Sequence, residues 1–177
     1  TGVLDTTKLH TYRYNEDLFK KISVIPDGKN HGLVFILDWS GSMQYVLEDT
    51  LKQLYNLMWF CNKVQIPFEV YAFTNEFRKR VIMEREGLDS YYNVKLEPHY
   101  EVKEGLLTVD PEFCLMNIFT SKVRKAELHH QMINIWRIAN CFGNRFHCRY
   151  TYPPAVTLSG TPLNESLIAL HSIIPQF

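Results

Sequence analysis

The residues of this chain best suited to chemistry are Asp38, Ser40 and Ser42, set at alternate positions in Asp38-Trp39-Ser40-Gly41-Ser42-Met43. One carboxylate and two hydroxyls offer oxygen donors only. Such a set suits a hard divalent cation, magnesium or manganese, and suits zinc or copper poorly, because those metals favour nitrogen and sulfur. The softer donors His129, His130, Cys141, His147 and Cys148 lie elsewhere, and their spacings match no zinc pattern. For them, structural histidines and core thiols are the expectation.

Other chemistries fit less well. An Asp at the end of a buried strand is also the nucleophile of haloacid-dehalogenase-like phosphatases, but those enzymes need a second Asp two residues on as general acid, where this chain has Ser40. Neither serine lies in Gly-x-Ser-x-Gly, and no GxxxxGK[ST] phosphate loop occurs. Each residue also has a plainer role. Ser42 and Thr161 can each cap a helix, which adds roughly 1 kcal/mol. Asp38 can hold its own loop by accepting backbone amides. Trp39, between two candidate ligands, is expected to pack inward, as tryptophans usually do; exposed, it would be an interface anchor.

The elements that must position these groups can be read from periodicity. Leu33-Val34-Phe35-Ile36-Leu37 is a continuous apolar run that ends in turn residues, the pattern of a buried strand, so Asp38 opens a strand-to-helix loop. In open α/β sheets, ligands bind at that end of the strands. Leu47, Leu51, Leu54, Met58 and Cys61 recur at steps of three and four, which predicts a helix over 44–63. Phe68–Phe73 predicts a second strand, parallel to the first through a right-handed βαβ crossover. Residues 74–110 lack a sustained period, carry Tyr91, Tyr92 and Tyr100, and are expected to form short strands or turns. Residues 113–120 read as a third strand and 121–142 as a helix with Leu128, Met132, Ile135, Ala139 and Phe142 on one face, stopped by Gly143. Pro153 and Pro154 place an ordered loop over 144–159. A last helix opens at Gly160-Thr161-Pro162-Leu163, with Leu163, Leu167, Leu170 and Ile174 as its expected buried stripe, and ends at Pro175.

Composition sets the boundaries. The 177 residues are 46% hydrophobic and 21% charged, as in an ordinary globular domain. Nineteen basic residues balance nineteen acidic ones, so neither nucleic acid nor a membrane surface is an expected partner. No apolar run approaches the roughly twenty residues of a membrane span, and no secretory signal opens the chain. Four cysteines, Cys61, Cys114, Cys141 and Cys148, without a CxxC pair, fit reduced thiols and a cytoplasmic setting. Clusters such as Arg78-Lys79-Arg80 and Glu84-Arg85-Glu86 read as a solvated face. Residues 1–30 form an expected lead-in segment with a turn at Asp27-Gly28-Lys29-Asn30, and 31–177 carry the main domain.

The order of apolar strand, Asp38-x-Ser40-x-Ser42, amphipathic helix, second strand and, much later, Gly160-Thr161-Pro162-Leu163 resembles a von Willebrand factor A domain with its metal-ion-dependent adhesion site. The resemblance implies an α/β, Rossmann-like fold, a mostly parallel central sheet flanked by helices. It also implies one Mg2+ or Mn2+ ion, with Asp38, Ser40, Ser42 and Thr161 mapping onto four of its five ligands. The fifth, an Asp after a further strand, is not among the residues given, so the C-terminal strands are expected to be missing. Leu33–Leu37 would then lack a neighbour on one side and pair with that missing part or in an oligomer. Gly2-Val3-Leu4-Asp5-Thr6, Phe19-Lys20 and Asp-Trp-Ser-Gly-Ser-Met further resemble the C-terminal domain of CobT-type cobaltochelatase subunits and of CobT-like proteins of tailed phages. This implies a non-catalytic adaptor beside a MoxR/CobS-type AAA+ ATPase ring, in the cytoplasm (the host's, if phage-encoded), gripping a partner that offers a carboxylate to the metal. A purely structural interaction domain with a vestigial metal loop is the alternative.

Overall fold

Five consecutive apolar side chains cannot all face water, and Leu33–Leu37 accordingly forms a strand whose last residue is buried. The computed structural model describes residues 3–4, 19–20, 32–96, 103–105, 109–143 and 148–176. The chain divides into two units, Thr1–His31 and Gly32–Phe177. In the first, β1 (Val3–Leu4) pairs antiparallel with β2 (Phe19–Lys20). The turn expected at Asp27–Asn30 lies outside the described residues.

The second unit is a mixed α/β assembly. Its strands are β3 (Leu33–Leu37), β4 (Phe68–Thr74) and β5 (Cys114–Thr120), in the order β3-β4-β5. β3 and β4 are parallel, joined by α1 (Leu47–Val64), so the βαβ unit read from periodicity is present. β5 runs antiparallel to β4, with an irregular register between Val70 and Tyr71. The sheet is therefore mixed where a mostly parallel one was expected. The segment between β4 and β5 re-enters at the end of the sheet it left, which only an antiparallel strand can use.

The helix α1 buries Leu47, Leu51, Leu54, Met58 and Cys61, the five residues whose spacing predicted it. Each fully buried Leu contributes about 2 kcal/mol relative to exposure. Glu48 and Asp49 in the first turn and Lys63 in the last complement the helix dipole. The helix ends at Gln65, whose φ of 61° is left-handed and whose N–H donates to the Cys61 carbonyl. Opposite it lies α3 (Lys125–Gly143), burying Leu128, Met132, Ala139 and Phe142. Tyr55 ties the two helices by donating its hydroxyl to the Met132 carbonyl at 2.6 Å. Between these helices and the sheet lies one apolar core that includes Trp39, Phe68, Val70 and Phe119. Its one acidic intruder, Glu69 on β4, is buried but accepts from Asn117 Nδ2 at 2.8 Å and Thr120 Oγ1 at 2.9 Å, with Lys122 Nζ at 3.2 Å. A buried carboxylate so furnished leaves no orphaned charge.

Four expectations need correction. Residues 77–86 are a helix, α2 (Phe77–Glu86), where strands or turns were expected; it buries no residue, so no apolar stripe could announce it. Its basic cluster is not merely solvated: Arg78 Nη1 donates to the Pro111 carbonyl at 2.6 Å, Lys79 pairs with Glu112, and Arg80 with Glu76. The last helix, α4 (Leu163–Ile173), buries Ser166, while Leu163, Leu167 and Ile174 are about half exposed, at 47%, 51% and 57%. Spacing alone thus misread the environment of these three residues. Finally, Cys141 and Cys148 form a disulfide with Cα atoms 4.5 Å apart, where four reduced thiols were expected; Cys61 and Cys114 are free. Cys141 and Cys148 are seven residues apart, a spacing that by itself matches no disulfide pattern. Among the described residues, no helix is long and apolar enough to cross a membrane.

Candidate metal centre

The loop that follows β3 starts from a buried anchor. Trp39 is 1% exposed, donates Nε1–H to the Val156 carbonyl at 2.8 Å, and meets the Phe142 ring edge-on at 5.9 Å. This inward packing is the role anticipated for Trp39. The residues on either side, Asp38 and Ser40, project from a fixed point. Asp38 Oδ1 accepts the Ser40 amide at 2.9 Å, the loop-holding role open to any aspartate at such a turn. Ser40 is buried, and its Oγ lies 2.9 Å from Ser42 Oγ. Ser42 itself is exposed, within the 3-10 turn Gly41–Tyr45 that leads into α1. Neither this turn nor α1 has a side-chain cap, so the capping role considered for Ser42 is not in use.

The second stretch reaches the same place from far along the chain. Ser159 pairs with Ser40 as an isolated parallel bridge: Gly41 N–H donates to the Ser159 carbonyl at 2.8 Å, and Ser159 N–H to the Trp39 carbonyl at 3.3 Å. Thr161 stands two residues further on, is exposed, and its hydroxyl makes no hydrogen bond among the described residues. It does not cap α4, whose N-cap position is Pro162. Asp38, Ser40 and Ser42 are thus brought together in one loop; Ser159 is bonded to that loop, and Thr161 follows two residues further along the chain.

Comparison with family models, with curated proteins and with solved structures returns no match. The site therefore rests on its own geometry and donor chemistry. Around a magnesium ion with bonds of about 2.0–2.1 Å, adjacent octahedral ligands lie about 2.9 Å apart. The Ser40 and Ser42 hydroxyls are hydrogen-bonded to each other at 2.9 Å, a separation compatible with two adjacent ligands of such an ion. With one Asp38 oxygen engaged by an amide, no described residue bonds the other. A carboxylate and hydroxyls are donor types that a hard cation takes. No group of three or more His, Cys, Asp or Glu that could hold a metal occurs among the described residues; His147 lies outside them. His129 and His130 are both exposed on α3.

Sequence reasoning missed the residues that hold the second stretch. Thr74 and Asn75 follow the buried core of β4 at the same end of the sheet as Asp38. Thr74 Oγ1 lies 3.2 Å from Ser159 Oγ, which also accepts the Asn75 amide at 3.3 Å. Asn75 Oδ1 accepts the Gly160 amide at 3.0 Å. The rule that drew attention to Asp38, ligands at the carboxyl ends of strands, applies equally to Thr74-Asn75 and was the available signal.

Proposed function

We propose that this chain is a divalent-cation-dependent protein-binding module of the von Willebrand factor A type. Its loop resembles that of CobT-like proteins, and it works as an adaptor beside an AAA+ ATPase ring of the MoxR/CobS kind. One observation carries the reading: a loop-held aspartate beside two serine hydroxyls 2.9 Å apart, with Ser159, two residues before Thr161, bonded to the same loop. Asp38, Ser40, Ser42 and Thr161 would hold Mg2+ or Mn2+. When bound, the ion supplies a fixed positive charge to which a carboxylate of a partner protein can add. The chain's own residues set the selectivity. Ser40 and Ser42 are neutral donors, so the site keeps net positive charge for an anionic partner. Trp39 fixes their spacing from beneath.

A titration tests this. Trp39 lies within the loop, so its fluorescence should change on adding magnesium or manganese to the wild type and not to Asp38→Ala. Identical responses in the two proteins would remove the cation reading. A generic phosphate ester should be left intact by both; turnover lost in Asp38→Asn would replace the adaptor with an Asp-nucleophile enzyme.

A further inference from the structure

The cation ligands proposed above come from two stretches, which are held by different residues. Asp38, Ser40 and Ser42 share a short loop rooted by Trp39. Thr161 has no hydrogen bond of its own through its hydroxyl among the described residues, so its place depends on what grips residues 159–162. On the downstream side, the Pro162 carbonyl accepts both the amide and the hydroxyl of Ser166, at 3.2 and 2.9 Å, and the Thr161 carbonyl accepts the Leu163 amide at 2.8 Å. On the upstream side, Ser159 is bonded directly to Gly41 and Trp39, and a second grip, the one that reaches Gly160, passes through the end of β4. Ser159 Oγ meets Thr74 Oγ1 and the Asn75 amide, and Gly160 N–H donates to Asn75 Oδ1.

Asn75 is the most closely fitted of these. A Cβ added at Gly160 would lie 2.8 Å from Asn75 Nδ2 and 3.2 Å from Oδ1. Such an approach would make the carboxamide shift, so a side chain at 160 disturbs the Asn75–Gly160 contact. Asparagine is suited to the task because its carbonyl oxygen accepts the amide without adding charge beside a cation site.

We propose that Asn75 is the positioning residue for Thr161, so that the cation affinity of the site is set from the end of β4, a strand that supplies no ligand. The inference rests on the cation reading of Asp38, Ser40, Ser42 and Thr161. Asn75 touches Gly160 and acts on the ion only through the residue that follows it. Groups that orient metal ligands in this way typically change affinity about 10- to 100-fold when removed.

The test measures Mn2+ affinity by calorimetry on the full chain as wild type, Asn75→Ala, Thr161→Ala and the double variant. Gly160 amide exchange, followed by NMR, is the second readout. Asn75→Ala should bind manganese at least about tenfold more weakly and exchange the Gly160 amide faster. The double variant should bind no more weakly than Thr161→Ala alone, because both changes remove the same ligand. Wild-type affinity in Asn75→Ala, or additive losses in the double variant, overturns the positioning role while leaving the cation site intact. Failure of the wild type to bind at all, matching Asp38→Ala, overturns the cation reading and this proposal with it. If Asn75→Ala does not fold, Gly160→Ala carries the same test by displacing the carboxamide: weakened affinity supports the role and wild-type affinity overturns it.

Discussion

At the scale of single residues, conformational cost and donor chemistry are separable. Gln65 ends α1 in the left-handed region, with φ of 61°, a conformation that costs a side chain about 1 kcal/mol and glycine little. Gln65→Gly should therefore raise stability by about 0.5–1 kcal/mol, read as a higher urea midpoint with unchanged slope; a lower midpoint would mean the glutamine side chain contributes more than its strain. Gly87 already uses the conformation that Gln65 tolerates, with φ of 64° at the end of α2. At this scale the sequence was informative about kind and silent about proximity. Asp38, Ser40 and Ser42 could be singled out because they are neighbours in the chain. Asn75 and Ser159 could not, because their meeting depends on a fold that brings together residues 84 apart.

At the scale of elements, Tyr55 joins α1 to α3, and burial pushes its hydroxyl well above the usual tyrosine range. Burial also pushes the Cys61 thiol up. Both groups bind their protons more tightly folded than unfolded. Their contribution is complete below the unfolded values, about 8.5 for cysteine and 10 for tyrosine, and is lost as pH rises beyond them. Stability should fall above about pH 9. Tyr55→Phe should cost about 0.5–1.5 kcal/mol at neutral pH and flatten the decline above pH 10, measured by urea unfolding across pH; an unchanged slope would place the titration elsewhere. The two leucine-rich helices give a contrast. Leu51→Ala in α1 should cost about 2–5 kcal/mol, whereas Leu167→Gln in α4 should cost less than about 0.5 kcal/mol, because Leu167 is half exposed. Equal losses would show that the α4 stripe is covered after all. Periodicity found both helices with equal ease. It reports that a face is apolar, and burial needs a neighbour that periodicity does not contain. The reverse failure is α2, formed from strong helix formers and stopped by Gly87 but hidden from a search for stripes.

For the molecule as a whole, the βαβ unit and the third strand were legible because each is held by residues close in sequence or by strongly apolar runs. The antiparallel direction of β5 was not, since it depends on where the segment after β4 re-enters the sheet. The mixed α/β unit thereby has a local half and a non-local half. β3, α1 and β4 follow one another directly along the chain. The Trp39–Val156 hydrogen bond spans 117 residues, and the bonds of Ser159 to the same loop close at similar range. Long closures carry the entropy of the whole intervening chain and come late in folding. During synthesis, then, the loop bearing Asp38 leaves the ribosome long before residue 159 exists to meet it. The sheet's first crossover can form in that interval while the second wall of the loop is still unmade. Order of assembly thus separates the making of the scaffold from the closing of the Asp38 loop against Ser159, and that closure is the last thing this unit acquires.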